Sequence, residues 1–166
     1  HYICYQVSTE ENVRYNSNEK LLDITLPDKY ILFIGRLSYV KNLFLLLDAF
    51  ERGKLDDNYL VIVGDGEMKD ALIEKTKKMN KVDKIMFLGE IENPLPILKR
   101  SQLLVLPSFS EAYPTILLEA LCLYIPVLST PTKGAKEILN NMAGTYISND
   151  YYNIEEFAKL MENGVK

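Results

Sequence analysis

Histidine is almost missing from this chain: among its 166 residues there is one, His1, at the very start. A single terminal imidazole excludes a His general base, a Ser-His-Asp or Cys-His triad, and a zinc centre built on paired histidines. Chemistry must then rest on carboxylates, Lys, Arg and backbone amides. Cysteine is nearly as scarce. Cys4 and Cys122 are too far apart to form a metal or redox motif, and Cys122 falls in an apolar helical stretch where a small buried side chain is expected. That usage implies a reduced, cytosolic setting. Long apolar runs are missing too: the stretch from Leu43 to Leu47 falls far short of the roughly 20 residues that cross a bilayer. Nor is there an excess of positive charge. Nineteen basic residues against 23 acidic ones leave a net charge of −4, so no global field steers the chain to nucleic acid, and any anion site must be local. No internal repeat or low-complexity segment interrupts the sequence.

What is there is the balance of one globular domain, 48% hydrophobic and 25% charged, long enough to bury a sizeable core. Residues 1–29 are polar and poorly periodic, and they are expected to be a connector leading into the domain. Because the chain opens on His1 rather than Met, these residues are expected to come from inside a longer polypeptide. From Tyr30 onward, short β-rich apolar runs alternate with amphipathic segments. Strands are predicted over Tyr30–Gly35, Tyr59–Gly64, Lys84–Gly89, Leu103–Pro107, Pro126–Thr130 and Gly144–Ile147. Between them, Leu43, Leu46, Leu47 and Phe50 mark the buried face of a first helix ending near Gly53. Further helices are predicted over Glu67–Asn80, Pro94–Ser101, Pro114–Leu123, Lys136–Asn140 and Ile154–Glu162. Near-continuous Ile, Leu and Val strands alternating with helices imply a doubly wound α/β fold, a Rossmann-like parallel sheet with helices on both faces, formed by residues 30–166 as one domain. In such sheets the ligand lies beyond the carboxyl ends of the strands.

The loops at those ends carry the polar groups of interest. Gly35-Arg36 follows the first strand, and Lys41-Asn42 precedes the first helix. Two cations there oppose the helix dipole, and a shared anion such as a diphosphate would relieve the conflict; the other reading is a pair of solvated surface cations. The second strand runs into Gly64-Asp65-Gly66-Glu67, whose glycines permit positive φ or a close backbone approach to a ligand. The dinucleotide fingerprint is absent, since Gly35-Arg36-Leu37-Ser38-Tyr39-Val40 lacks the second and third glycines, which disfavours a nicotinamide dehydrogenase. A phosphate-accepting receiver also fits poorly, because the first strand lacks clustered carboxylates for Mg²⁺. After the fourth strand come Glu111, in the loop ahead of Pro114, and Glu119, in the second helical turn. Glu111 reads either as a capping acid or as a ligand group. Glu119 reads either as an exposed helix residue or as an acid inside an apolar run that needs a partner such as a ligand hydroxyl.

The run Gly35-Arg36 through Lys41-Asn42, the Gly64-Asp65-Gly66 turn, Phe87-Leu88-Gly89, Pro107-Ser108, the Glu111 and Glu119 pair, and Ala120 through Pro126-Val127 together resemble the donor-binding half of the family 4 glycosyltransferases. These are retaining enzymes of GT-B architecture, and the likeness covers nearly all of residues 30–140. It implies that Arg36 and Lys41 bind the diphosphate of a nucleotide-sugar, that Glu111 contacts the sugar and that Glu119 holds the ribose hydroxyls. Arg36, Lys41 and Glu111 are thereby the catalytic candidates. The implied donor-binding set is completed by Gly35, Gly64, Asp65 and Gly89, by Ile91 beside the base, and by Tyr113, Thr115 and Ile116 around the first turn of the helix that follows the fourth strand. No metal or other cofactor is implied; two cations and free amides supply the positive charge that stabilises the negative charge developing on the diphosphate as it leaves.

The sequence departs from the family pattern at three places. Tyr124 and Ala112 stand where glycine is usual, and Lys133 precedes Gly134 where paired glycines are common. The resemblance implies a hexosyltransferase donor domain for surface polysaccharide or glycolipid synthesis, connected through residues 1–29 to an N-terminal acceptor domain of the same parent chain, inactive by itself without that domain, and cytoplasmic or peripheral at the inner face of the membrane. A non-catalytic nucleotide-binding module of the same fold is the alternative, and a GT-B epimerase or phosphorylase a third. Lys75, Lys77, Lys78, Lys81 and Lys84 form a basic cluster, which reads either as a peripheral contact with an anionic membrane or as a solvated face balanced by Asp70, Glu74 and Asp83. No nucleic-acid partner is expected.

Overall fold

The computed structural model describes residues 10–19, 24–140 and 142–166. His1 and Cys4 lie outside them. Six strands, β1 (Tyr30–Ile34), β2 (Tyr59–Val63), β3 (Ile85–Gly89), β4 (Leu103–Leu106), β5 (Val127–Ser129) and β6 (Thr145–Ile147), form one sheet in the order β3-β2-β1-β4-β5-β6. Every pairing is parallel. This is the expected Rossmann-like architecture. β1 is the first strand of both halves, with Ile31 opposite Leu60 on one side and Leu103 on the other. Its residues Tyr30 to Phe33 are fully buried, as apolar strands covered on both faces must be. Burial pushes the Tyr30 phenol up to about 12, and its hydroxyl donates to the Ile97 carbonyl at 2.5 Å.

Among the described residues seven helices wrap the sheet: α1 (Glu10–Asn16), α2 (Leu43–Arg52), α3 (Lys69–Thr76), α4 (Leu95–Arg100), α5 (Thr115–Cys122), α6 (Lys133–Leu139) and α7 (Ile154–Gly164). They fall into two contacting groups, α2 with α3 and α7, and α1 with α4, α5 and α6. Right-handed crossovers that run outward in both directions from β1 put these groups on opposite faces.

Three local features differ from the sequence expectation. The stretch read as a connector contains α1, whose Val13 is buried and which packs on α4 and α5. One apolar residue in a seven-residue helix leaves no period to detect. α3 stops at Thr76 rather than Asn80, because the lysine-rich stretch after it turns back onto α2, where Lys81 Nζ donates to the Phe50 and Gly53 carbonyls at 3.0 and 2.5 Å. α6 begins earlier than expected, at Lys133, capped by the Thr132 hydroxyl accepting from the Ala135 N–H at 3.2 Å. Other lysines of the cluster are also engaged within the domain. Lys75 pairs with Asp48 and Lys77 with Glu74, each at 2.5 Å, and Lys84 donates to the Asp56 carbonyl at 2.9 Å. Among the described residues no helix is long and apolar enough to cross a membrane.

Tyr124, after α5, has φ of 58°. A β-carbon in this left-handed region costs about 1 kcal/mol relative to glycine. Arg14 of α1 offsets part of this, donating to the Tyr124 hydroxyl at 3.0 Å and lying 5.5 Å from the ring centroid. Tyr124→Gly is expected to raise unfolding stability by about 1 kcal/mol in an Arg14→Ala background and by less when Arg14 is present. Urea titration of the four proteins of this cycle measures both values; a loss of stability in both backgrounds would contradict the strain.

Candidate functional site

The strand order reverses between β1 and β4, and the loops leaving their carboxyl ends diverge to form a crevice. The β1 loop carries Arg36 and, in a 3-10 turn over Tyr39–Lys41, Lys41; the β4 loop carries Ser108 and Glu111. Across the crevice Lys41 Nζ lies 2.5 Å from Glu111 Oε1, with the side chains 22% and 12% exposed. Ser108 Oγ donates to the same carboxylate oxygen at 2.6 Å. Ser108 is itself fully buried, and its carbonyl accepts from the Thr130 hydroxyl at the end of β5. Glu111 is therefore fixed from two sides before any ligand arrives. Its loop is further pinned by Gly134, whose N–H donates to the Glu111 carbonyl at 3.2 Å. A β-carbon on Gly134 would lie 2.7 Å from the Ala112 carbonyl oxygen, so the glycine that this chain keeps after Lys133 is the one packed against the site loop.

The crevice opens into a cleft of about 1190 Å³. Gly35, Arg36, Lys41, Ile91, Glu111, Tyr113, Thr115, Ile116 and Glu119 all border it, so most of the residues singled out in the sequence meet in one place. Arg36 is largely exposed, 3.5 Å from Glu67. At one wall α5 starts after Pro114 with no side-chain cap, Pro114 being the extended residue ahead of the helix rather than its first helical residue. The N–H groups of Thr115 and Ile116 belong to the first turn, where a helix offers no internal acceptor. Half-buried Glu119 has no hydrogen-bond or ion-pair partner among the described residues, and burial raises its carboxyl above the ordinary range. This combination suits a donor of hydroxyl hydrogen bonds near an anion held by amides and cations.

Gly64 and Asp65 border an adjoining recess of about 500 Å³ with Gly35, Arg36 and Ile91. The close approach expected of the glycine turn is made to the protein itself. A β-carbon on Gly64, at φ 134°, would sit 1.9 Å from the Gly35 carbonyl oxygen, and one on Gly66 2.5 Å from that of Leu37. Lys69 at 2.6 Å, followed by the Gly66 N–H at 2.7 Å, holds the Asp65 carboxyl below its usual range. Gly89 borders neither space; its carbonyl accepts the Gly64 N–H at 2.7 Å. The sequence reading missed Asn16, Glu19, Ile24 and Asn93, which line the cleft. Asn93 Nδ2 donates to the Asn16 carbonyl at 3.0 Å and to Glu19 Oε2 at 2.6 Å, so the segment after α1 forms a cleft wall. The Asn93 side-chain oxygen also accepts from the Leu95 N–H at 3.2 Å, and no local pattern in the sequence signals its pairing with Asn16 and Glu19. Cys122 is half-buried and free, its thiol pushed up chiefly by burial. Among the described residues no group of three or more His, Cys, Asp or Glu could hold a metal ion.

Comparison with known proteins agrees with this geometry. Residues 16–165 match the family described as Glycosyl transferases group 1. The N-acetylgalactosamine-N,N'-diacetylbacillosaminyl-diphospho-undecaprenol 4-alpha-N-acetylgalactosaminyltransferase of Campylobacter jejuni is 35% identical over 140 residues, 84% of this chain. The match spans 37% of that protein, so the chain corresponds to little more than a third of its relative's length. Among solved structures, HepE of Anabaena in complex with UDP-glucose superposes with a TM-score of 0.76 at 19% identity, over 84% of this chain and 39% of that one. WaaG, a glycosyltransferase involved in lipopolysaccharide biosynthesis, superposes with a TM-score of 0.75 at 17% identity, over 94% and 41%. These likenesses identify the fold as that of GT-B enzymes.

The raised Glu119 carboxyl has a consequence for stability. The folded state holds its proton to higher pH than the unfolded state, so ionisation of Glu119 subtracts stability as pH rises above the ordinary value of 4.5. Glu119→Gln is expected to raise the melting temperature at neutral pH, with the gain disappearing below about pH 4.5. Thermal melts across pH 4 to 8 measure this; a lower melting temperature at neutral pH would show that the carboxylate has a stabilising partner.

Proposed function

The chain belongs to the glycosyl transferases group 1 family, and from that premise we propose that its cleft binds the nucleoside-diphosphate portion of a nucleotide-sugar donor for retaining hexosyl transfer to an acceptor hydroxyl. The observation that carries this reading is the half-buried, unpartnered Glu119 carboxylate in the same cleft as the Lys41–Glu111 pair and the uncapped start of α5. Glu119 accepts hydrogen bonds from the ribose hydroxyls, which compensate its desolvation. The diphosphate lies toward Arg36, Lys41 and the amides of Thr115 and Ile116. Negative charge grows on the leaving diphosphate as the glycosidic bond lengthens, so these donors stabilise the transition state more than the bound donor. The Lys41 ammonium has three N–H donors; one meets Glu111, leaving two for phosphate oxygens. Lys41 thereby ties the position of the leaving group to Glu111, which contacts the sugar. No metal is needed in this scheme. The relatives' names support a role in building glycolipids or surface polysaccharides, and an acceptor domain elsewhere in the full protein completes the site.

Titration calorimetry with UDP, GDP and ADP tests the proposal. One nucleotide should bind with its affinity unaffected by EDTA. Arg36→Ala should weaken binding by about 1.5 to 3 kcal/mol with little change in melting temperature, since Arg36 is exposed. Lys41→Ala should weaken binding and also lower stability, because it leaves Glu111 with Ser108 alone. Glu119→Gln should weaken plain nucleotide, whereas Glu111→Gln should act chiefly on the nucleotide-sugar. Equal losses for both acids on plain nucleotide, or binding that requires Mn²⁺, would overturn the assignment. By itself the chain should bind donor without detectable transfer.

A further inference from the structure

Outside the cleft, three loops at the carboxyl edge of the sheet bring four aromatic rings together. Tyr39 is on the β1 loop, Phe109 on the β4 loop, and Tyr151 and Tyr152 precede α7. Phe109 is central: its ring centroid is 5.5 Å from that of Tyr39 and 5.6 Å from that of Tyr152, with interplanar angles of 37° and 41°. The outer two rings are open to solvent, Tyr39 at 69% and Tyr152 at 74% exposure, and neither hydroxyl has a hydrogen-bond partner among the described residues. Tyr151 instead braces the group from below, 6.3 Å from Phe109, its hydroxyl donating to the Pro131 carbonyl at 3.0 Å.

The arrangement is preorganised and attached to the reacting groups. The Phe109 N–H donates to the Val40 carbonyl at 2.8 Å, and Asn42 Nδ2 donates to the Tyr151 carbonyl at 3.1 Å, so all three loops are cross-linked. Lys41 is two residues beyond Tyr39, and Glu111 two beyond Phe109. The rings are therefore carried on the same loops as the Lys41–Glu111 pair, next to the cleft rather than in its lining, and Tyr39 and Phe109 border a separate small recess with Leu43 and Phe44 of α2. Exposed aromatic groups of this size on a rigid support mark an interaction site rather than ordinary surface.

We propose that Tyr39, Phe109 and Tyr152 form a stacking platform for a neutral sugar ring, the acceptor saccharide, presented beside the Lys41–Glu111 pair. The occupant follows from the chemistry of the face. Apolar ring faces with free hydroxyls at their edges match a pyranose, which has C–H faces and a hydroxyl rim. An anionic lipid headgroup would require cations, and the rings carry none between them. Asp150, the charged residue beside them, is taken up by the N–H groups of Tyr152 and Asn153, each at 2.7 Å. The acceptor role rests on the donor reading of the cleft, whereas the stacking itself does not.

Saturation-transfer NMR on the 166-residue chain, with cellotetraose, maltotetraose and chitotetraose as probes, tests the platform. Because the chain contains no Trp, tyrosine fluorescence compared between the parent and the double variant described next gives a second readout. At least one tetrasaccharide should receive saturation at its ring C–H protons, and its binding should weaken roughly tenfold in a Tyr39→Ala/Tyr152→Ala double variant. Both side chains are exposed, so an unchanged melting temperature should accompany the loss. Glu119→Gln should leave saccharide binding intact while weakening nucleotide. Saccharide binding without nucleotide binding would support the platform and remove the donor reading. No saturation transfer to any probe, or transfer unchanged in the double variant, would overturn the proposal. So would self-association in sedimentation that the double variant abolishes without any saccharide binding, which would assign the face to a second copy of the chain.

Discussion

The parallel pairing of β1 with β4 is the constraint on which the site depends. Those strands are distant in sequence, yet their adjacency at the reversal of strand order sets the β1 and β4 loops side by side at one edge. Lys41 and Glu111, 70 residues apart in sequence, meet at 2.5 Å because of this adjacency. The buried backbone of β1, paired on both sides, makes that geometry stiff, and Ser108, Thr130 and Gly134 pass the stiffness on to Glu111. A site built this way is organised before ligand arrives, which is where electrostatic stabilisation of a leaving group gains its advantage over water.

The two carboxylates of the cleft occupy opposite electrostatic situations. Glu111 has a cation and a hydroxyl on one oxygen and is tied into the protein. Glu119 has neither and carries an uncompensated desolvation cost. Stability alone would favour a neutral side chain at Glu119, a cost that the proposed contact with ribose hydroxyls would offset. Tyr124 has a similar character on a smaller scale, a left-handed non-glycine residue held partly by Arg14.

The glycine turns show how the loops reach one another. Gly64 and Gly66 let the β2 loop press against the Gly35 and Leu37 carbonyls of the β1 loop. Their lack of side chains therefore serves the packing that shapes Arg36's surroundings, and the aromatic rings of Tyr39 and Phe109 sit on the same interlocked loops. Cleft and aromatic face are thus carried by one interlocked set of loops.

By itself the sequence determined the six strands, the helices between them and the polar groups at the strand ends, because periodicity and turn chemistry are properties of residues two to four apart. It could not reveal α1, whose single buried Val13 leaves no pattern, nor the turn after Thr76, where Lys81 is drawn to carbonyls of α2. The identities of Arg36, Lys41, Glu111 and Glu119 were legible; their relations were not. That Lys41 meets Glu111 while Glu119 has no hydrogen-bonding side-chain partner among the described residues, that Gly64 faces Gly35, and that Asn93 draws Asn16 and Glu19 into the cleft wall were decided only by the tertiary structure. Contacts between loops far apart in sequence follow strand order and crossover hand, and no local pattern of residues encodes the distance between two of them.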